Sequence, residues 1–207
     1  MAAADAAPAS TNRANPLKLG LLGALTGAIS WTTVIHAEEL HLSFWHMHFY
    51  EPFAATLAPI ALYRGLVFGI AFGSVLAWAR HWAWLKAAGF VLASFLGYLI
   101  AYHLAVFIGA SAKFGGDSAI YWVGVPAGLA GSAILGFFSN LLFRWPRNSQ
   151  LVRSIVVGTL AGACSPLSTI GIGRNDHFMG WGLLAFFVLW QGAYGASLAP
   201  LFANRSR

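Results

Sequence analysis

Charge is what this sequence has least of. Lysine, arginine, aspartate and glutamate together make up 9% of its 207 residues, against about a quarter in a soluble domain. So few charges cannot cover a water-facing surface, which excludes an ordinary soluble globule. Cysteine is nearly absent too. Cys164 stands alone, so no internal disulfide can form and the compartment stays open on that score. Acidic residues number six against twelve basic ones. The resulting net charge of +6 does not mark a nucleic-acid surface, because the positives are scattered through short connecting stretches. Also missing are a Gly-x-Ser-x-Gly elbow, a Walker loop, a dinucleotide fingerprint and a Cys-x-x-Cys pair. Ordinary soluble catalysis is therefore not favoured.

What the chain has instead is long apolar runs. A helix crossing a bilayer needs ~20 mostly apolar residues. Six windows qualify, at about 17–37, 60–80, 87–111, 119–143, 151–173 and 180–202. The expected fold is an all-α polytopic membrane protein, a bundle of six transmembrane helices over 17–202. Residues 1–16 form an Ala/Pro/Ser/Asn-rich tail without apolar periodicity, read as disordered. Residues 203–207 form a short C-terminal tail. The first window is longer than the ~7–15 apolar residues of a signal peptide and is read as an uncleaved helix.

Orientation follows from the basic residues. With a cytoplasmic N-terminus, the inside receives Arg13, Lys18, Arg80, Lys86, Arg144, Arg147, Arg153, Arg205 and Arg207. The outside receives Lys113 and Arg174, with Arg64 just within the membrane. Six crossings return both termini to the cytoplasm. The expected location is the inner membrane, multi-pass, with lipid and either further copies or a larger membrane complex as partners.

Glycines recur every four residues: Gly23 and Gly27; Gly65, Gly69 and Gly73; Gly124 and Gly128; Gly158 and Gly162. That spacing puts small residues on one helix face, as in a glycine zipper, and predicts close helix packing. GALTGAISWTTVI from Gly23 also resembles GTLAGACSPLSTI from Gly158, and FGIAFGSVLA from Phe68 resembles WQGAYGASLA from Trp190. The pattern suggests two copies of one helical hairpin in parallel orientation.

The chemistry concentrates in HAEELHLSFWHMHFYE, residues 36–51. It holds four of the seven histidines and three of the six acidic residues. It opens the outer loop 38–59 between the first two windows. As a helix on the membrane surface it would align Glu38, His41, His48 and Glu51 along one stripe. As an extended segment it would point His46 and His48 the same way. Imidazole is a common metal ligand that titrates near neutral pH. The candidate metal set is therefore His36, His41, His46, His48, Glu38 and Glu51, with His103 from the third helix. The expected ligand is a divalent transition metal ion. The alternative is haem held between His36 and His103. The spacings match no specific zinc or di-iron pattern and resemble the histidine boxes of membrane di-iron enzymes only loosely. An interfacial loop anchored by His, Trp and Tyr fits the same residues.

Inside the membrane, Arg64 can snorkel to the headgroups, pair with Glu51 or bind an anion. In the fifth helix, Pro166 frees the carbonyl of Gly162. That break places Ser165 and Thr169, with Gln191 and the Ser30, Thr32 and Thr33 hydroxyls, on a candidate polar pathway; helix stitching is the plainer use. These observations lead to the expectation of a transporter or channel subunit that handles a divalent metal ion or protons at a His-rich outer face. A redox anchor holding haem or quinone, and a non-catalytic subunit of a membrane complex, are the alternatives.

Overall fold

A computed structural model describes residues 15–35, 59–79, 84–111, 118–169 and 179–202. Residues 1–14 of the N-terminal tail, the His-rich stretch on which an interfacial helix is one expectation, and the C-terminal tail lie outside the described residues.

The described residues are helical and contain no strand. The helices are α1 (Pro16–Ile35), α2 (Pro59–Ala79), α3 (Trp84–Ser111), α4 (Ser118–Phe143), α5 (Asn148–Gly162), α6 (Met179–Ser197) and the short α7 (Ala199–Phe202). A 3-10 turn, Ser165–Thr169, follows α5. Three stretches are long and apolar enough to cross a membrane: Trp84–Ala105, Val123–Phe143 and Asn148–Leu167.

The local signals are readable. Both α1 and α2 begin on a proline, whose missing N–H costs nothing in a first turn. Asn15 precedes Pro16, and its side chain accepts the Leu17 N–H at 2.9 Å as an N-cap. α4 stops where Arg144 enters the left-handed region, at φ 55°. The Asn140 side chain then accepts the Trp145 N–H at 3.0 Å, which folds Trp145 into the interior. The apolar window 151–173 does not make one helix. α5 closes at Gly162, and the chain tightens into the 3-10 turn at Ser165–Thr169. Pro166 explains this, because it has no N–H to give and its ring crowds the preceding turn.

The helices form a closed ring in chain order, each packed on its sequence neighbours, with α6 returning to α1. The tightest approaches run through glycine. A methyl on Gly27 would sit 2.5 Å from the Phe187 carbonyl oxygen of α6. Gly124 of α4 and Gly162 of α5 face each other's carbonyls in the same way. No side chain fits at such crossings.

One end of the ring is filled. Phe68, Phe72 and Leu76 of α2, Phe90 of α3, Leu135 and Phe143 of α4, and Leu198, Leu201 and Phe202 beyond α6 form the apolar core. Phe68 stacks on Phe72 at 4.3 Å, and Phe72 meets Phe202 edge-on at 6.1 Å. This plug lies toward the end where α1, α3 and α5 begin. The opposite end is where the candidate site lies.

Candidate functional site

Arg64 enters one turn after the start of α2, at the end of the ring away from the plug. Its half-buried guanidinium lies over the Phe187 ring, 4.3 Å from the centroid. That is close range for a cation on an aromatic face. Its Nε is fully buried and has no hydrogen-bond partner among the described residues. All six acidic residues of the chain lie outside the described residues, and Glu51, an expected partner for Arg64, is one of them.

Around Arg64 is a pocket of about 360 Å³. Its walls come from five helices and the turn after α5. α3 supplies Tyr98 and Tyr102, α4 supplies Gly124 and Gly128, Ser165 comes from the 3-10 turn, and α6 supplies Phe186, Phe187 and Trp190. The ring planes of Phe186 and Trp190 are nearly parallel, 6° apart. The small residues of α4 keep that wall thin, while the aromatics of α3 and α6 make the other walls flat and apolar. A single cation in an aromatic box can hold an anion, because few nearby dipoles compete for its charge.

Below this pocket is a polar belt. Gln191 of α6 is fully buried. Its amide nitrogen donates to the Tyr98 hydroxyl at 2.6 Å and to Ser30 Oγ at 3.2 Å. Ser30 in turn donates to the Thr26 carbonyl at 2.7 Å. One glutamine therefore ties α6 to both α3 and α1. Gln191 Oε1 has no hydrogen-bond partner among the described residues. Two further bonds complete the belt: Ser94 Oγ of α3 donates to the Gly65 carbonyl of α2 at 2.8 Å, and Ser132 Oγ of α4 donates to the Ile155 carbonyl of α5 at 3.1 Å.

The residues singled out in the sequence divide accordingly. Arg64 and Ser165 come together in the pocket. Gln191 and Ser30 come together in the belt. Gln191 is bonded to Tyr98 rather than to Ser165. Thr32 faces outward and bonds the Ile29 carbonyl at 2.8 Å, which takes it off the expected pathway. The Thr33 and Thr169 side chains lie outside the described residues. So do His36, Glu38, His41, His46, His48 and Glu51, the bulk of the candidate metal set. His103 is described. Its Nδ1 is 2.8 Å from the Leu99 carbonyl one turn back. Among the described residues no three His, Cys, Asp or Glu side chains gather into a metal site.

Tyr98, Phe187 and Trp190 carry the pocket without having been singled out as site residues. Aromatic residues are too common in this chain, at 15%, for three of them to stand out. Only the packing of α3 and α6 around Arg64 reveals them. The chain matches no protein-family model, no curated protein and no solved structure.

Proposed function

We propose that the protein is a six-span, multi-pass inner-membrane transport or channel subunit that admits a small anion to Arg64 from the outer side. The observation that carries this reading is the asymmetry of the ring. An apolar plug fills one end, while the other holds a pocket of about 360 Å³ with a guanidinium on its wall. Pockets for small organic ligands begin at ~300 Å³. The lengths of α1, α2 and α6, at 20, 21 and 19 residues, support six crossings, since ~20 residues suffice. Lys18, Lys86, Arg144, Arg147 and Arg153 all belong to the plug end, which supports placing that end in the cytoplasm.

Metal or proton handling is the second reading. Its support is that the His-rich stretch joins α1 to α2, so both of its flanks leave the ring at the pocket end. A metal or proton step above the pocket and anion binding within it are compatible.

Benzoate is a suitable probe for the pocket, being a small monoanion with a flat apolar body. The full chain in nanodiscs should bind benzoate more tightly than neutral benzamide in isothermal titration. Arg64→Gln should weaken benzoate binding by about tenfold or more, as the loss of one hydrogen bond to a charged group. Equal binding of benzoate and benzamide, or an Arg64→Gln variant with unchanged benzoate affinity, would remove the anion reading.

A further inference from the structure

A second cavity lies at the plug end, on the outside of the ring and away from Arg64. It occupies about 700 Å³ between the start of α1, the first turns of α5 and the last turns of α6. Its polar wall is α5, where Arg147, Gln150 and Arg153 follow one another at intervals of three and share one face. Its apolar wall is made of small residues, including Ala193, Ala196 and Pro200. Both arginines are exposed, and Gln150 Oε1 is buried with no hydrogen-bond partner among the described residues.

Among the described residues no acidic side chain compensates these charges. Arg147 is the cap residue of α5 and makes no side-chain cap bond, and the first turn contains no acidic residue. Positive side chains at a helix start oppose the field of the helix, which favours an anion there. On either side, hydrocarbon-seeking surface continues from the cavity. α1 exposes Leu17, Leu21 and Leu25 at four-residue spacing, and α5 exposes Val152, Val156 and Leu160. A free inorganic anion would use the arginines and leave these rows unused. A ligand with a phosphate head and aliphatic tails would use both.

We propose that this cavity binds the headgroup of an anionic phospholipid whose head also carries free hydroxyls. Arg147 and Arg153 hold the phosphodiester, Gln150 Oε1 accepts a hydrogen bond from a headgroup hydroxyl, and the acyl chains run along the exposed rows of α1 and α5. Basic pockets between helices at a membrane surface suit such headgroups.

The test uses the full chain in detergent, with phosphatidylglycerol and phosphatidylcholine added together and retained lipid read by native mass spectrometry. Wild type should keep phosphatidylglycerol in preference to phosphatidylcholine by about tenfold. The double variant Arg147→Gln with Arg153→Gln should lose that preference, whereas Arg147→Lys with Arg153→Lys should keep most of it. Lys86→Gln removes a charge from the same end but outside the cavity and should change nothing. Gln150→Leu should lower retention of phosphatidylglycerol but not of phosphatidic acid, which has no headgroup hydroxyl beyond its phosphate. Circular dichroism confirms that each variant is folded. Equal retention of the two lipids by wild type would overturn the proposal. So would a loss in Lys86→Gln as large as in the double variant, since diffuse surface charge would then account for the binding. Complete displacement by millimolar inorganic phosphate would also overturn it, in favour of a free-phosphate site.

Discussion

Gly27→Ala adds one methyl at the seam between α1 and α6, and the structure sets its cost. The new carbon would lie 2.5 Å from the Phe187 carbonyl oxygen, 2.7 Å from its carbon and 2.9 Å from the Val188 nitrogen. Carbon and oxygen in contact prefer ~3.3–3.6 Å. The two backbones must therefore part by about 1 Å, since no flexible side chain can yield instead. Overpacking of this kind costs ~1–3 kcal/mol. Moving α1 outward also stretches the 3.2 Å bond from Gln191 to Ser30, adding ~0.5–1.5 kcal/mol. Alanine's better helix propensity offsets about 1 kcal/mol of this. The net expectation is a destabilisation of roughly 1–3 kcal/mol. Gly20→Ala, two turns away on the same helix, is the control. Its methyl would meet Ala196 Cβ at 3.4 Å and the Gly192 oxygen at 3.5 Å, which is ordinary contact. It should be neutral or stabilise by up to ~1 kcal/mol. Unfolding in mixed micelles, followed by tryptophan fluorescence, compares the two directly. Equal stability of Gly27→Ala and Gly20→Ala would refute the seam as a tight point of the ring.

Gln191→Leu should destabilise the bundle by ~1–3 kcal/mol in the same unfolding assay, because it strands the Tyr98 hydroxyl and removes both ties from α6; an unchanged midpoint would show the belt to be dispensable. Ser94→Ala deletes only the 2.8 Å bond to the Gly65 carbonyl and should cost ~1 kcal/mol, less than Gln191→Leu. For the membrane map, single cysteines in a Cys164→Ser background should be labelled by an impermeant reagent at Ser43 but not at Asn148 in intact cells; the reverse pattern inverts the topology. For the His-rich stretch, zinc, copper, nickel or cobalt should bind at neutral pH and weaken as pH falls through about 6.5, because metal needs the neutral imidazole. His41→Ala with His48→Ala should remove most of that binding while His81→Ala, which the expected topology puts on the inner side between the second and third windows, leaves it, and no binding of any of these metals would retire the metal reading.

How much of this could be read from sequence depends on the kind of signal. Helix content came from apolar length alone. The window 119–143 and helix Ser118–Phe143 differ by one residue, and the helix runs on through Pro126 without ending. The fifth window ran past the true end of α5 because hydropathy does not register the missing N–H of Pro166. Glycine spacing marked the contact faces but not their partners. Gly23 and Gly27 turn out to meet α6, while Gly65, Gly69 and Gly73 meet α3. A four-residue repeat says that something packs closely on that face and cannot say what. Arg64, Ser165 and Gln191 were legible as expensive polar groups in an apolar stretch. Their division between a pocket and a belt was not, since it depends on the position of Tyr98, 93 residues away from Gln191 in sequence.

One of the ring's close seams joins its first helix to its last. Gly27 and Phe187 are 160 positions apart, and at ~5–20 residues per second a ribosome takes on the order of ten seconds or more to travel that distance. Throughout that interval the glycine face of α1 is unmatched and the Ser30 hydroxyl waits for Gln191. Closure is therefore a late event in the birth of the molecule, made only when α6 arrives. A chain interrupted before α6 would carry an open groove lined by glycines of α1, where a helix from another protein or another copy could lodge. A separately expressed α6 would be the natural piece to fill it.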